Sequence, residues 1–177
     1  MAKVLGIDPG VSETGWAVLA GEPGQEPRLL ASGLIKTYPT QELTARLFHI
    51  HAECERVIAE HAPDSVALEQ MFFMKAATTI RATLQARGVI LLAIAQSGKA
   101  VSEYDPKTVK LTLTGSGRAE KPQMQAVVQK ALKLAEILRP DDVADAAAIA
   151  LCHLRSSRLK RLKVLDSFGG RRAKIAS

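Results

Sequence analysis

Along the chain, apolar positions first run together and alternate, then recur at helical spacing, and each change of period marks an element. Residues 3–8 open with the apolar run Val4-Leu5-Gly6-Ile7 and stop at Asp8, because Pro9 cannot donate to a sheet ladder and Gly10 frees the backbone for a tight turn. Residues 14–20 and 28–35 read as further strands, separated by a polar stretch rich in Gly and Pro, so the first three strands form an antiparallel meander. From Thr40 to His61 the period becomes helical, with Leu43, Leu47, Ile50, Cys54 and Val57 on one stripe. Pro63-Asp64 stop that helix, and Ser65 to Glu69 form a short strand that again ends in a carboxylate. A helix over 76–97 contains Val89 to Ala95, apolar all round, which predicts burial on more than one side, by the sheet and by another subunit. Val101 to Tyr104 is the last strand. Asp105-Pro106 then supply a cap and a first-turn proline for a helix through Leu113. After the loop 115–118, a helix is expected from Lys121 to Leu138, with Met124, Val127, Ala131, Leu134 and Leu138 on one face. The last helix is expected from Pro140 to about Arg155. Residues 156–177 lack sustained periodicity and are expected to be largely disordered without a partner.

This order predicts an α/β architecture, a mixed five-stranded sheet with helices on both faces, in one domain over residues 1–155 followed by a basic tail at 156–177. A strand that follows a crossover helix is expected parallel to a sheet neighbour. If the strand ending at Glu69 lies beside the first, Glu69 and Asp8 share the edge where open α/β sheets place their ligands. The length of 177 residues suffices for one domain with a real core. No run is apolar enough to span a bilayer, and Met1-Ala2-Lys3 leads straight into a strand without a signal-peptide pattern, so a cytoplasmic location is expected. Cys54 and Cys152 are expected to be reduced thiols in or near the core. His49, His51 and His61 lie on or near one helix, but a His-x-His pair does not share a helical face, so solvated side chains are expected rather than a metal site.

Charge sharpens the picture through its distribution. The net charge of +6 divides into −5 over residues 1–69, +7 over 70–133, −3 over 134–154 and +7 over 155–177. Basic segments flanking acidic ones suit a polyanionic ligand held near a carboxylate cluster, although a solvated basic surface with a free tail has the same composition. Asp142 and Asp145 stand three apart in the first turn of the last helix and share a face. The Ala146-Ala147-Ala148 that follows lets this helix approach a sheet closely. Asp141 is explained as a first-turn acid that complements the helix dipole. Asp8, Glu69, Asp142 and Asp145 together would make four anions at one point, which repel unless a hard cation neutralises them. Oxygen-only ligands favour Mg²⁺ or Mn²⁺, and two such ions ~4 Å apart form the clamp used for in-line phosphoryl displacement.

These residues also carry a resemblance. Gly6-Ile7-Asp8-Pro9-Gly10 with Thr14-Gly15, Ala67-Leu68-Glu69-Gln70 with Phe72, Gln85-Ala86-Arg87-Gly88, Glu103-Tyr104, Val109-Lys110, Gly115-x-Gly117-x-Ala119-x-Lys121, and Asp142-x-Ala144-Asp145-Ala146 with Cys152-His153 resemble the RuvC family of Holliday junction resolvases, in order over most of residues 4–154. The resemblance implies a ribonuclease H-like fold and a homodimer that places two active sites on one four-way DNA junction. It implies symmetric nicking of opposed strands in recombination and repair, and work beside a RuvA–RuvB branch-migration complex. It carries the catalytic and metal-binding roles to Asp8, Glu69, Asp142 and Asp145, with two Mg²⁺ or Mn²⁺ ions. The family usually has Asn where this chain has Ala76 and a second Gly where it has Leu84, which bears on junction contacts and sequence preference.

Around that centre, Phe72, Phe73 and Lys75 follow Glu69 at once, and an apolar tip beside a cation suits an unpaired base at a crossover. The resemblance singles out Phe72 for this. Lys110 and Lys121 resemble the family's basic residues facing the scissile phosphate or the DNA backbone, with Lys107 and Arg118 as plausible neighbours. Lys130 and Lys133 fit a solvated face. Other functions start from similar signals. An actin-like ATPase also ends its first strand in an Asp-Gly turn, but this chain lacks a second phosphate loop and room for a second lobe. A junction-binding protein needs none of the four carboxylates. A ribonuclease of the same fold differs only in substrate.

Overall fold

A computed structural model describes residues 1–22, 25–70 and 77–169, with side chains described except at 77–80 and 157–169. β1 (Ala2–Asp8), β2 (Glu13–Gly21) and β3 (Arg28–Lys36) form the expected meander. α1 (Leu43–His61) leads to β4 (Ser65–Glu69), α2 (Ala77–Gln96) to β5 (Ala100–Tyr104), and α3 (Pro106–Thr114), α4 (Lys121–Leu132) and α5 (Asp141–Gly169) follow. The sheet order is β3-β2-β1-β4-β5. β1 pairs antiparallel with β2 and parallel with β4, and β4 pairs parallel with β5, so the sheet is mixed.

The two faces carry separate cores. On one, Leu5, Ile7 and Val18 of the sheet meet Ile50, Cys54 and Val57 of α1 and Ala86, Ile90 and Ile94 of α2. On the other, Val4, Ala17 and Leu19 meet the alanine-rich start of α5, with Val109, Met124 and Val128 from α3 and α4. Each large aliphatic side chain buried here contributes about 1.5–3 kcal/mol. Both cysteines are buried free thiols. No helix among the described residues is long and apolar enough to cross a membrane.

Two expectations shift. α4 ends at Leu132 rather than Leu138, because Lys133 takes a left-handed conformation and donates its N–H back into the last turn. Leu134 and Leu138 still pack on the core, which explains their helix-like spacing. α5 continues past Arg155 to Gly169: the stretch 156–168 has no Gly or Pro and is rich in Leu, Lys and Arg, all good helix formers. Within this chain α2 packs on the sheet and leaves Leu92 51% and Leu84 38% exposed on the side where another subunit was expected. The expected cap at Asp105 is present, its side chain accepting from the N–H groups of Lys107 and Thr108.

The alanines of α5 allow the expected close approach, and two glycines complete it. A Cβ at Gly6 would lie 2.1 Å from the Ala146 carbonyl oxygen, and one at Gly15 would lie 2.0 Å from that of Asp142. Both obstacles are backbone, so the helix must move to admit even a methyl group. Gly15→Ala is therefore expected to destabilise the fold by about 1–3 kcal/mol through overpacking. Thermal unfolding of the variant against the parent checks this, and an unchanged midpoint would mean that α5 lifts off without loss.

Candidate active site

Four acidic side chains meet at one edge of the sheet because strand direction puts them there. Ile7 pairs with Leu68 in the parallel β1–β4 ladder, so Asp8 and Glu69, one residue further on each strand, leave the sheet at the same end. Gly15 pairs with Asp8, and the first turn of α5 rests on Gly15, which brings Asp142 and Asp145 to that end as well.

The turn after Asp8 is locked by its own polar groups. Thr14 is fully buried, its hydroxyl donating to the Gly10 carbonyl at 2.6 Å and facing the Gly10 N–H at 3.4 Å. A Cβ at Gly10 would lie 2.1 Å from the Glu13 carbonyl, so this tight closure requires glycine. Glu69 is braced by Arg87, an almost fully buried residue of α2. Its guanidinium donates to the Glu69 carbonyl at 2.5 Å and pairs with Glu103 at 2.7 Å, tying the ends of β4 and β5 together. Behind the site, Tyr104 reaches His153 Nδ1 at 2.9 Å and Ser65 reaches its Nε2 at 3.2 Å, which fastens α5 to β4 and β5.

The carboxylates interact strongly. Burial pushes the Asp8 carboxyl up to about 8, and the negative charges of Glu69, Asp145 and Asp142 and a hydrogen bond with Glu69 add to the rise. Asp145 is also raised, by burial first, with Asp141 and Asp142 adding and Lys121 and Lys110 opposing. Burial works against the Lys121 ammonium, but Asp145, Asp141 and Asp142 outweigh it and its pKa rises. Lys121 Nζ lies 3.4 Å from Asp141 and 3.8 Å from Asp145. Asp141, expected only to complement its own helix dipole, also accepts from Gln125 at 2.8 Å and so joins α4 to α5.

A cleft of about 180 Å³ opens beside the cluster, lined by Glu69 and Asp145, by Lys110 and Lys121, and by apolar side chains that include Val109 and Met124. Lys107 lies one turn before Lys110 on α3 and so shares its face. Arg118 is exposed in the α3–α4 loop, and no contact joins its side chain to the cleft. Phe72, Phe73 and Lys75 lie outside the described residues, as does Ala76. Of the histidines, His49 is exposed, His51 meets Gln96 and Glu55, and His61 packs on Trp16. Sequence reasoning gave no role to Arg87, although a cation inside the apolar stretch of α2 was a visible signal.

Among the described residues, no set of three His, Cys, Asp or Glu side chains already stands ready to hold a metal ion. The four acids form an electrostatic cluster rather than a finished chelate. The donor chemistry still suits a hard divalent cation: the donors are carboxylate oxygens, and the rise at Asp8, set first by burial and then by the neighbouring negative charges, is a penalty on the bare carboxylate that a bound cation would relieve in place of a proton.

Comparison with known proteins agrees with this geometry. Residues 4–153 match the family model described as Crossover junction endodeoxyribonuclease RuvC. The chain belongs to that family. A relative from Syntrophomonas wolfei carrying that name is 44% identical over 157 residues, covering 89% of this chain and 91% of the relative. One from Salinispora arenicola is 45% identical over 152 residues, covering 86% and 87%. Among solved structures, Thermus thermophilus RuvC in complex with a Holliday junction substrate superposes with a TM-score of 0.86 at 35% identity, covering 90% of this chain and 97% of that one. The fold is thus the ribonuclease H-like fold of the RuvC family.

The pKa of Asp8 has a thermodynamic consequence. A carboxyl raised in the folded state contributes most below its ordinary value of 3.8, and that contribution is lost as pH rises toward about 8. In chelator, stability is expected to fall across that window. Asp8→Asn should remove much of the fall and leave the variant more stable than the parent at pH 8, by a few kcal/mol in order of magnitude at ~1.4 kcal/mol per pH unit. Melting curves of both proteins across pH check this, and parallel curves would mean that Asp8 ionises normally.

Proposed function

We propose that this chain is a metal-dependent, structure-selective endodeoxyribonuclease that resolves four-way DNA junctions by paired, symmetric nicks in opposed strands, in recombination and repair. The observation that carries the reading is the convergence of Asp8, Glu69, Asp142 and Asp145 at one sheet edge, beside a cleft lined by Lys110 and Lys121. Membership of the RuvC family supports the substrate.

In this reading the four carboxylates would hold two Mg²⁺ or Mn²⁺ ions, which supply an activated water and charge neutralisation at the leaving oxygen. The chain itself supplies position and counter-charge. β1 and β4 fix Asp8 and Glu69 at strand ends, and Arg87 holds the Glu69 backbone in place. Lys121, paired with Asp145 in the free protein, turns to the scissile phosphate with Lys110 once the acids are neutralised. Lys107 and Arg118 follow the DNA backbone further out, where charge adds affinity without reading sequence. Phe72, Phe73 and Lys75 are assigned to the crossover contact, since an aromatic beside a cation suits an unstacked base. The nuclease domain spans residues 1–155, and the basic segment 156–177 adds sequence-independent attraction to DNA. The protein acts in the cytoplasm beside a RuvA–RuvB branch-migration complex, as the family resemblance implies.

Cleavage of a labelled four-way junction, a linear duplex and an RNA–DNA hybrid with Mg²⁺ or Mn²⁺ tests the reading. Paired nicks in the junction alone are expected, with Asp8→Asn binding but not cutting. Lys121→Met is expected to cut about a hundredfold more slowly, the scale of losing one group that stabilises transition-state charge. Cutting of the hybrid would reassign the substrate to RNA, and binding without cutting by the parent would remove the nuclease assignment.

The outer face of α2 supports a homodimer. Leu84 and Leu92 are exposed there, and a Cβ at Gly88 would meet nothing within 4 Å, so the surface is apolar and open to close approach. A dimer through this face gives one junction two active sites. Sedimentation equilibrium should show twice the 19.0 kDa chain mass, and Leu92→Glu should return it to 19.0 kDa with nicking of the two strands uncoupled. A Leu92→Glu dimer would place the interface elsewhere.

A further inference from the structure

Arg46 lies in the first turn of α1. It is 9% exposed, and its guanidinium bonds only to hydroxyls: Nε donates to Thr37 Oγ1 at 2.9 Å and Nη2 to Ser12 Oγ at 2.9 Å. No carboxylate pairs with it among the described residues. A buried cation held only by neutral groups is costly, and removing a compensating anion from such a site is strongly destabilising elsewhere. Its partners are also committed in a telling way. Thr37 Oγ1 donates to the Val11 carbonyl at 2.5 Å and so accepts from Arg46, whereas the Ser12 hydroxyl proton and Arg46 Nη1 make no bond to the described residues and, since no buried side-chain N or O atom among them lacks a partner, Nη1 is open to solvent. Two donors, one of them charged, therefore face solvent at one point.

That point lies on the catalytic edge of the sheet. Ser12 is in the turn that begins at Asp8, and the Thr37 N–H donates to the Ser12 carbonyl at 2.9 Å, just beyond the Glu13–Lys36 pair at the end of β3. From a strand spacing of about 4.8 Å and a rise of about 3.3 Å per residue, it stands on the order of 10 Å from Asp8, on the side away from the Lys110–Lys121 cleft. The two cationic positions thus lie on either side of the carboxylates, as a strand passing over Asp8 would require.

We propose that Arg46 and Ser12 form a second phosphate site, which takes a backbone phosphodiester of the bound nucleic acid a few nucleotides from the one at Asp8. The guanidinium offers Nη1 and the serine its hydroxyl, while Thr37 holds the guanidinium by Nε so that its free edge faces the ligand. A phosphate there supplies the anion that this buried cation lacks in the free protein. The site selects for a phosphodiester backbone and reads no base.

The inference rests on the nucleic-acid reading of the catalytic edge, and one binding experiment separates the two. Anisotropy titrations of a labelled four-way junction, in chelator so that nothing is cut, are run from low to high salt on the full chain, Arg46→Gln, Arg46→Lys and Ser12→Ala. Arg46→Gln is expected to bind about tenfold more weakly at low salt and to lower the slope of log affinity against log salt by about one, the signature of one lost phosphate contact. Arg46→Lys should restore the slope. Ser12→Ala should weaken binding a few-fold with the slope kept, and it decides the matter if Arg46→Gln does not fold. A lower melting temperature with unchanged slope and affinity in the folded variants would make Arg46 a brace for the Asp8 turn and overturn the site. Failure of the parent itself to bind the junction would overturn the nucleic-acid reading, and this inference with it.

Discussion

The contact on which everything else depends is the direct apposition of helix α5 to the backbone of β1 and β2. No side chain stands between them at Gly6 and Gly15, and the helix carbonyls of Ala146 and Asp142 occupy the space that a Cβ would need. Alanines at 146, 147 and 148 keep the helix slim on the same face. Close packing of this kind tolerates little displacement, because an interior at crystal-like density has no slack to absorb a methyl group. The position of Asp142 and Asp145 is therefore set by backbone meeting backbone, which holds a carboxylate more rigidly than any loop.

That rigidity is what allows acids to be held against their own repulsion. Asp8 is buried beside Glu69, Asp142 and Asp145, and its pKa rises first because burial disfavours the charged form and then because the neighbouring carboxylates add their repulsion. The protein meets this with cations at the rim rather than with pairs inside the cluster. Lys121 reaches Asp141 and Asp145 from α4, and Lys110 acts on Asp145 from α3. Both lysines keep long, mobile side chains at the cleft, so their charge is available to a polyanion as well as to the acids. Stability is given up locally to keep these acids together, and the two aliphatic cores on either face of the sheet make that loss tolerable.

Buried arginines brace the edge in two places, and they do so differently. Arg87 has a carboxylate partner in Glu103 as well as the Glu69 carbonyl, so its charge is answered within the protein. Among the described residues, Arg46 is bound only to the hydroxyls of Thr37 and Ser12. The same residue type thus serves as a closed clamp at the β4–β5 side of the edge and as an open donor at the β1–β3 side.

The sequence by itself determined the period of each element, and from it the order of the strands and helices. The apolar run that Asp8 ends, the stripe from Leu43 to Val57 and the cap at Asp105 are local signals, and local physics obeys them. Strand direction was then expected from chain order, since a crossover helix before Ser65 favours a parallel neighbour, but that the neighbour is β1, and so that Asp8 and Glu69 share one edge, was decided by the fold. Tertiary structure decided what depends on contacts between distant residues. Leu134 and Leu138 kept a helical spacing yet lie beyond the end of α4, because the core recruits them after Lys133 turns the chain. The outer face of α2 could not be told from its inner face by a run that is apolar all round. The roles of Arg46 and Arg87 were hidden for the same reason: a charge is priced by its surroundings, and the partners of Arg46 come from positions 12 and 37 and those of Arg87 from 69 and 103, brought together only by the fold.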